Sequence, residues 1–365
     1  MFAFVGVGQA GGNIANLARK KGIKAVAINY SKNDLELDSI ESKLRLVGTE
    51  GVGKRRDVAI AKLPDNIDAI EKFFENNFST PSIEIVIVTF AVGGGTGSGI
   101  GPLLIELLQH QMPEKVIVGC PILPSYSEPY HNQFNTVEAS EELSKLNIAI
   151  YPVDNQKRYT EVGKESLYRT VNEELVSIFY ELQQYTSRHS EEGVLDRTDL
   201  REIFKTPGVG VIAKVELAQL NSGQENNVTE EGVAKRIQES WESSIFVSPE
   251  KEKLTSAGII FDGQESLMRS ISQKKIFEVF ETEPFYVYQG NYRNESGKVT
   301  TIIAGMQWYQ NRLKEIEKSF DGKKLSLGNE AREGYKSSIK LEFKKEENTQ
   351  KQMSALEILN KYKKL

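Results

Sequence analysis

The chain is poor in the residues that make cross-links and metal cages. Its 365 residues include one cysteine, Cys120, and three histidines. A single thiol excludes an internal disulfide and suits a reducing cytoplasm. So few Cys and His side chains also leave no set for a zinc site. No run of eighteen apolar residues exists, so no membrane-spanning helix is expected. There is no basic excess either. Lys and Arg number 46 against 51 Asp and Glu, a net charge of −5. That balance lacks the footprint of a nucleic-acid binder, and direct DNA binding is not expected. No charged leader precedes the first apolar run, so no secretory signal is expected. Proline is absent from residues 320–365, which are charged and read as helix.

What is present alternates. Short apolar runs at 2–5, 25–28, 83–89, 116–118 and 148–150, with a weaker one at 43–47, read as buried strands. Helical spacing at 13–20, 57–77, 100–110 and 132–146 separates them. Apolar strands alternating with helices imply a parallel sheet covered on both faces. A long helix follows over 164–188, with Leu167, Val171, Leu175, Ile178, Phe179 and Leu182 at spacings of three and four. Thr206-Pro207-Gly208 reads as a boundary. Beyond it come a strand at 209–217, a helix at 229–242, a strand at 257–261, a helix at 264–280, and strands at 285–291 and 298–304. From Trp308 the chain is charged and helical. The expected fold is α/β, with a Rossmann-like domain over 1–163 and a central helix and loop region over 164–206. A smaller α/β domain would span 207–307, and a helical extension 308–365.

Three glycine motifs punctuate the first half. Gly6-Val7-Gly8-Gln9-Ala10-Gly11 fits GxGxxG between a strand and a helix, the dinucleotide fingerprint. The acid that should hold a ribose at the end of the next strand is replaced by Asn29. A phosphate near Gly8–Gly12 is the firmer expectation, and a nicotinamide-dependent oxidoreductase remains an alternative. Residues 48–54 fit most of a Walker A motif, but Arg55 stands where Ser or Thr should ligate Mg²⁺. The third stretch, VTFAVGGGTGSGIG at 88–101, places six glycines in nine residues after the strongest strand. Glycine costs roughly 0.5–1 kcal/mol relative to alanine in regular structure. A buried strand feeding a helix is no place for a flexible linker, so this stretch is expected to present N–H groups to a phosphate.

GGGTGSG resembles the signature loop of the tubulin/FtsZ family of GTPases. GVGQAGGN, AINYS and EGVGKRRD follow that family's first three phosphate loops in order, and the resemblance covers roughly residues 2–305. It implies GTP or GDP as ligand, with Mg²⁺ offsetting phosphate charge and no side chain singled out as its ligand. It assigns nucleotide contacts to Gly8, Gln9, Ala10, Gly11, Gly12, Asn13, Asn29, Gly51, Gly53, Lys54, Gly93, Gly94, Gly95, Thr96, Gly97 and Ser98. Tyr168 would stack on the base and Asn172, one turn later on the same helical face, would bond its edge. Asn155 and Glu128 would complete the nucleoside end. The family arginine four residues after that glutamate is Asn132 here.

The resemblance also implies a shared active site. Asp196 and Asp199 would reach the nucleotide of the next subunit in a head-to-tail homopolymer and act on the attacking water. Asp196 or Thr198 also suits a helix N-cap. VDNQKRY and KTPGVGVIAKVEL are similar to the TubZ branch, which segregates plasmid or phage DNA. That likeness implies a TubR-like DNA-binding adaptor held by the C-terminal tail, no membrane contact, and a bacterial cytoplasm. FtsZ-type cell division is the alternative within the family. A polymer that binds GTP without turnover is a further one.

Overall fold

The computed structural model describes residues 1–190, 192–217, 229–293 and 297–320, and their side chains except at 160–165 and 320. The first half is a parallel sheet. Strands β1 (Phe2–Val7), β2 (Lys24–Asn29), β3 (Lys43–Arg45), β4 (Ile85–Ala91), β5 (Val116–Leu123) and β6 (Ala149–Ile150) lie in the order β3-β2-β1-β4-β5-β6. The short β7 (Val153–Asp154) pairs with the end of β5. This is the Rossmann strand order, and it reverses direction between β1 and β4. β1 and β5 are buried along their whole length, and β4 up to its last residue, which is why they read as unbroken apolar runs. Helices α1 (Gly8–Lys20), α2 (Arg56–Lys62), α3 (Ile67–Phe78), α4 (Thr96–Gln111) and α5 (Tyr130–Leu143) cover the faces.

Helix α6 (Gln156–Tyr185) runs for 30 residues, about 45 Å at the α-helical rise. It starts at Gln156 rather than near Lys164. Its apolar stripe is buried, and Phe179 meets Phe2 and Phe4 edge-on at 5.5 and 5.6 Å. Such pairs add about 0.5–1.5 kcal/mol each beyond burial.

Helix α7 (Arg197–Lys205) leads into β8 (Gly208–Glu216), α8 (Glu230–Ser243), β9 (Ser256–Asp262), α9 (Glu265–Met268), α10 (Gln273–Phe277), β10 (Tyr286–Tyr292), β11 (Lys298–Met306) and α11 (Gln310–Phe320). β11 lies antiparallel between β8 and β9, and β10 is the outer strand. Thr206 and Pro207 link α7 to β8, which begins at Gly208 and pairs with β6, so one sheet runs through both halves.

Two expected helices are divided. Residues 57–77 form α2, a 3₁₀ turn opening at Pro64, and α3. Proline offers no N–H and clashes with the preceding turn, so the helix stops there. Residues 264–280 form α9 and α10. The tail from 321, with its expected helix and adaptor segment, lies outside the described residues.

Candidate functional site

The sheet reverses between β1 and β4, and a cleft of about 570 Å³ opens at their carboxyl ends, where α/β sheets bind ligands. Two helices begin at it, α1 directly after β1 and α4 after β4. Neither has a side-chain N-cap bond or an acidic residue in its first turn. Their first N–H groups and positive dipole ends are left for an anion. Gly8 has φ +72, and a Cβ there would stand 3.1 Å from the Gly97 nitrogen, so the two glycine loops meet. Gly95 is tighter still, since its Cβ would come within 2.6 Å of Val52.

From the first loop, Gly8, Gln9, Ala10 and Asn13 line the cleft; from the second, Gly93, Gly94, Gly95, Thr96 and Gly97. Asn29 lines it from the end of β2, its amide donating to Asp34 at 3.1 Å. Gly51, Gly53 and Lys54 line it from the third loop. Lys54 has φ +65, alone among described non-glycine residues. Glu128, Asn155, Tyr168 and Asn172 line the remaining wall. Glu128 accepts from Ser125 N at 3.2 Å and from Asn132 Nδ2 at 2.8 Å. Asn132 therefore holds that carboxylate without neutralising it. Burial, and then the Glu128 charge, push the Tyr168 phenol up to about 12, so it stays a donor at neutral pH.

Three of the expected contacts stand behind the cleft rather than in it. Gly11 packs on the Thr89 carbonyl, where a Cβ would come within 2.2 Å. Gly12 faces Leu37 and the Asp34 carbonyl. Ser98 is fully buried and donates to the Gly94 carbonyl. These residues shape the loops from the rear.

Asp196 and Asp199 lie elsewhere. Asp196 is the N-cap of α7 and accepts from Asp199 N at 2.9 Å, while Asp199 accepts from Asp196 N at 3.1 Å. Arg197 between them pairs with Glu84 at 2.6 Å and donates to the Ser82 carbonyl at 3.1 Å, at the amino end of β4. Gly93 follows the carboxyl end of that seven-residue strand, about 23 Å away at the usual strand rise. Within one molecule the acid pair does not meet the cleft. Partial burial raises the Asp199 pKa, and the Asp196 charge raises it further.

Sequence reasoning missed the residues that tie the loops together. Asn135 Nδ2 sits 3.1 to 3.2 Å from the carbonyls of Lys54, Gly93 and Gly94, and His131 Nε2 is 2.6 Å from the Lys54 carbonyl. Arg56 reaches Glu138, Glu142 and the Ser98 carbonyl. A lone amide in a helix gives no sequence signal for such a role. Asp34 and Glu50 also line the cleft. No cluster of three or more His, Cys, Asp or Glu that could hold a metal exists among the described residues.

The family model described as Tubulin/FtsZ family, GTPase domain, matches residues 2–163. The tubulin-like protein CetZ of Pyrococcus abyssi is 26% identical over 319 residues, covering 83% of this chain and 84% of the relative. The tubulin-like protein TubZ of Clostridium botulinum C phage is 30% identical over 217 residues, covering 57% and 58%. A GTPγS-form protofilament of Bacillus thuringiensis serovar israelensis TubZ shares the fold, with a TM-score of 0.72 at 18% identity over 87% of this chain and 90% of that one. The nicotinamide reading of GxGxxG falls here, because the matched family uses these loops for a guanine nucleotide. Residues 2–163 are matched as a GTPase domain of the tubulin/FtsZ family, and that domain is what makes the protein a GTPase.

Proposed function

We propose that the protein assembles head to tail into filaments and hydrolyses GTP at the junctions between subunits. The observation that carries this is the separation of the two halves of the site. The cleft opens at the carboxyl ends of the strands, and the acid pair sits at the amino end of β4. A second copy stacked along the strand direction places its Asp196 and Asp199 over the first copy's nucleotide. There one carboxylate positions the attacking water and takes its proton. The glycine loops hold the α- and β-phosphates, Lys54 faces the γ-phosphate, and Tyr168, Asn172, Asn155 and Glu128 hold the nucleoside.

An exposed aromatic ledge supports assembly. Phe285, just ahead of the outer strand β10, is 81% exposed and Tyr286, its first residue, 54%, and the two ring centroids lie 4.7 Å apart. Tyr288, stacked beside Tyr286, is close enough to Glu202 and Asp199 for their charges to raise its pKa after burial. Exposed apolar surface of this kind marks contact sites, and this one borders the acids. Sedimentation and electron microscopy with GTPγS and with GDP test the reading. Polymer with GTPγS is expected, and a protein that stays monomeric at every concentration contradicts it.

The finer reading is cytoplasmic movement of plasmid or phage DNA through a DNA-binding adaptor of the TubR kind, held by the tail beyond 320. Its support is the likeness to a phage TubZ and the acidic body, which favours an adaptor over direct DNA contact. The match to the archaeal CetZ covers more of the chain, so cargo rests on experiment. An otherwise unstable plasmid carrying this gene with its flanking DNA should be retained, and retention should fail with Asp199→Asn.

A further inference from the structure

Helix α11 reaches the edge of the cleft through Arg312. Arg312 Nε donates to Asp154 Oδ2 at 2.7 Å, and Nη2 donates to Asp154 Oδ1 at 3.0 Å and to the Pro124 carbonyl at 2.9 Å. Its guanidinium stacks on the Tyr126 ring at 4.5 Å, and the Tyr126 hydroxyl bonds Glu315, one turn further along α11, at 2.6 Å. Both partners of the pair are over nine-tenths buried, with side-chain exposures of 6% and 4%. Burial works against the charge of Arg312, but the Asp154 carboxylate more than offsets it and holds the guanidinium above its ordinary value.

Each arm of this clamp ends one step from the nucleotide wall. Pro124 itself lines the cleft, and the next residue, Ser125, gives its N–H to Glu128. Asp154 precedes Asn155, whose N–H bonds the Leu123 carbonyl and whose side chain lines the cleft. Asp154 also accepts from Gln156 N at 3.0 Å, fixing the start of the helix that carries Tyr168 and Asn172.

We infer that Arg312 is a positioning residue for the nucleoside end of the cleft, acting through Pro124 and Asp154 from a helix that contributes no residue to the cleft. The inference rests on the proposal that Glu128, Asn155, Tyr168 and Asn172 hold the nucleoside. A guanidinium is the group that spans a carboxylate and a carbonyl at once, because its donors form a rigid fork. An ammonium in its place keeps the charge and loses the fork. Arg312 therefore restrains two chain segments that would otherwise move independently under the nucleotide.

The test is the dissociation rate of fluorescent GDP and GTPγS from the full chain below its assembly concentration. Arg312→Lys should release both nucleotides about tenfold faster, a change within reach of one coupled buried contact. Asn311→Ala removes the Nδ2 bond from α11 to Glu250, keeps the bond from its backbone N–H and leaves Arg312 in place, so its release rates should match the native protein. Unchanged release from Arg312→Lys, or equal acceleration in Asn311→Ala, overturns the inference. If Arg312→Lys does not fold, Arg312→Met with Asp154→Leu replaces the buried pair by apolar side chains, an exchange often tolerated. That variant, folded but with native release, overturns it as well. Tyr168→Ala, run alongside, separates the two claims. Native release from Tyr168→Ala refutes the nucleoside assignment itself, whatever Arg312 does.

Discussion

Arg197 of α7 and Glu84, just ahead of β4, form an ion pair of 2.6 Å. Its stabilising worth is small, about 0–1 kcal/mol for a pair with this much solvent contact. Its consequence is geometric. It holds Asp196 and Asp199 at one end of the strand whose other end opens the cleft, the separation on which the proposed two-molecule site rests.

Asp199→Asn should leave nucleotide affinity unchanged and lower turnover about 10²–10⁴-fold, the usual contribution of a general base. Asparagine keeps an acceptor for the Asp196 N–H, so the helix cap survives. Filaments of this variant should persist after GTP is added, as pelleting over time will show. Native turnover would move the catalytic role elsewhere.

The pH profile should carry the same signature. Burial raises the Asp199 pKa first, and the Asp196 charge adds to it, against one stabilising backbone bond. A base must be ionised to take a proton, so turnover falls as pH drops through this pKa. The raised value places that acid limb above the usual carboxylate range of about 4. The sign for stability is opposite: a raised carboxyl favours the folded state at low pH, so acid should remove activity before it removes structure. Turnover and circular dichroism over one pH series, with pelleted mass recorded, check this. The limb should vanish in Asp199→Asn.

Lys54 is the cation of the third loop that lines the cleft. Its replacement by methionine should weaken GTPγS binding by about 1.5–3 kcal/mol, the range for a charged hydrogen bond. GDP binding should change far less, because the contact proposed for Lys54 is to the γ-phosphate. Calorimetric titration below the assembly concentration gives both numbers, and equal losses would place Lys54 on another phosphate.

Phe285→Ser with Tyr286→Ser should abolish pelleting and leave monomer nucleotide affinity untouched. Both side chains are largely exposed, so the melting temperature should hold. Normal polymer from the double variant would remove the aromatic ledge from the interface.

Much of the cleft was legible because its chemistry is steric. Gly8 and Gly95 are forced by backbone geometry and close approach, and such constraints leave a glycine in the sequence. The strands were legible for a similar reason, since burial on both faces of β1, β4 and β5 leaves unbroken apolar runs. Asn135 and Arg312 were not legible. Each gains its role from partners 41 to 188 positions away in sequence, and a single Asn or Arg in a charged helix carries no trace of that. The breaks near Pro64 and in 264–280 show the same limit at short range: spacing marked the apolar face but not where the helix stops. The i, i+3 spacing marked the acids as facing one way and left Asp196 or Thr198 as the N-cap, while the reciprocal cap of Asp196 with Asp199 and their distance from the cleft are properties of the folded chain alone.

The central claim is that the site is completed by a second subunit. The most direct measurement is GTP turnover per subunit over a wide range of protein concentration, with sedimentation of the same samples. The account predicts that turnover per subunit stays low until a critical concentration and rises together with pelletable polymer. Turnover per subunit that is already full in dilute monomer would contradict it.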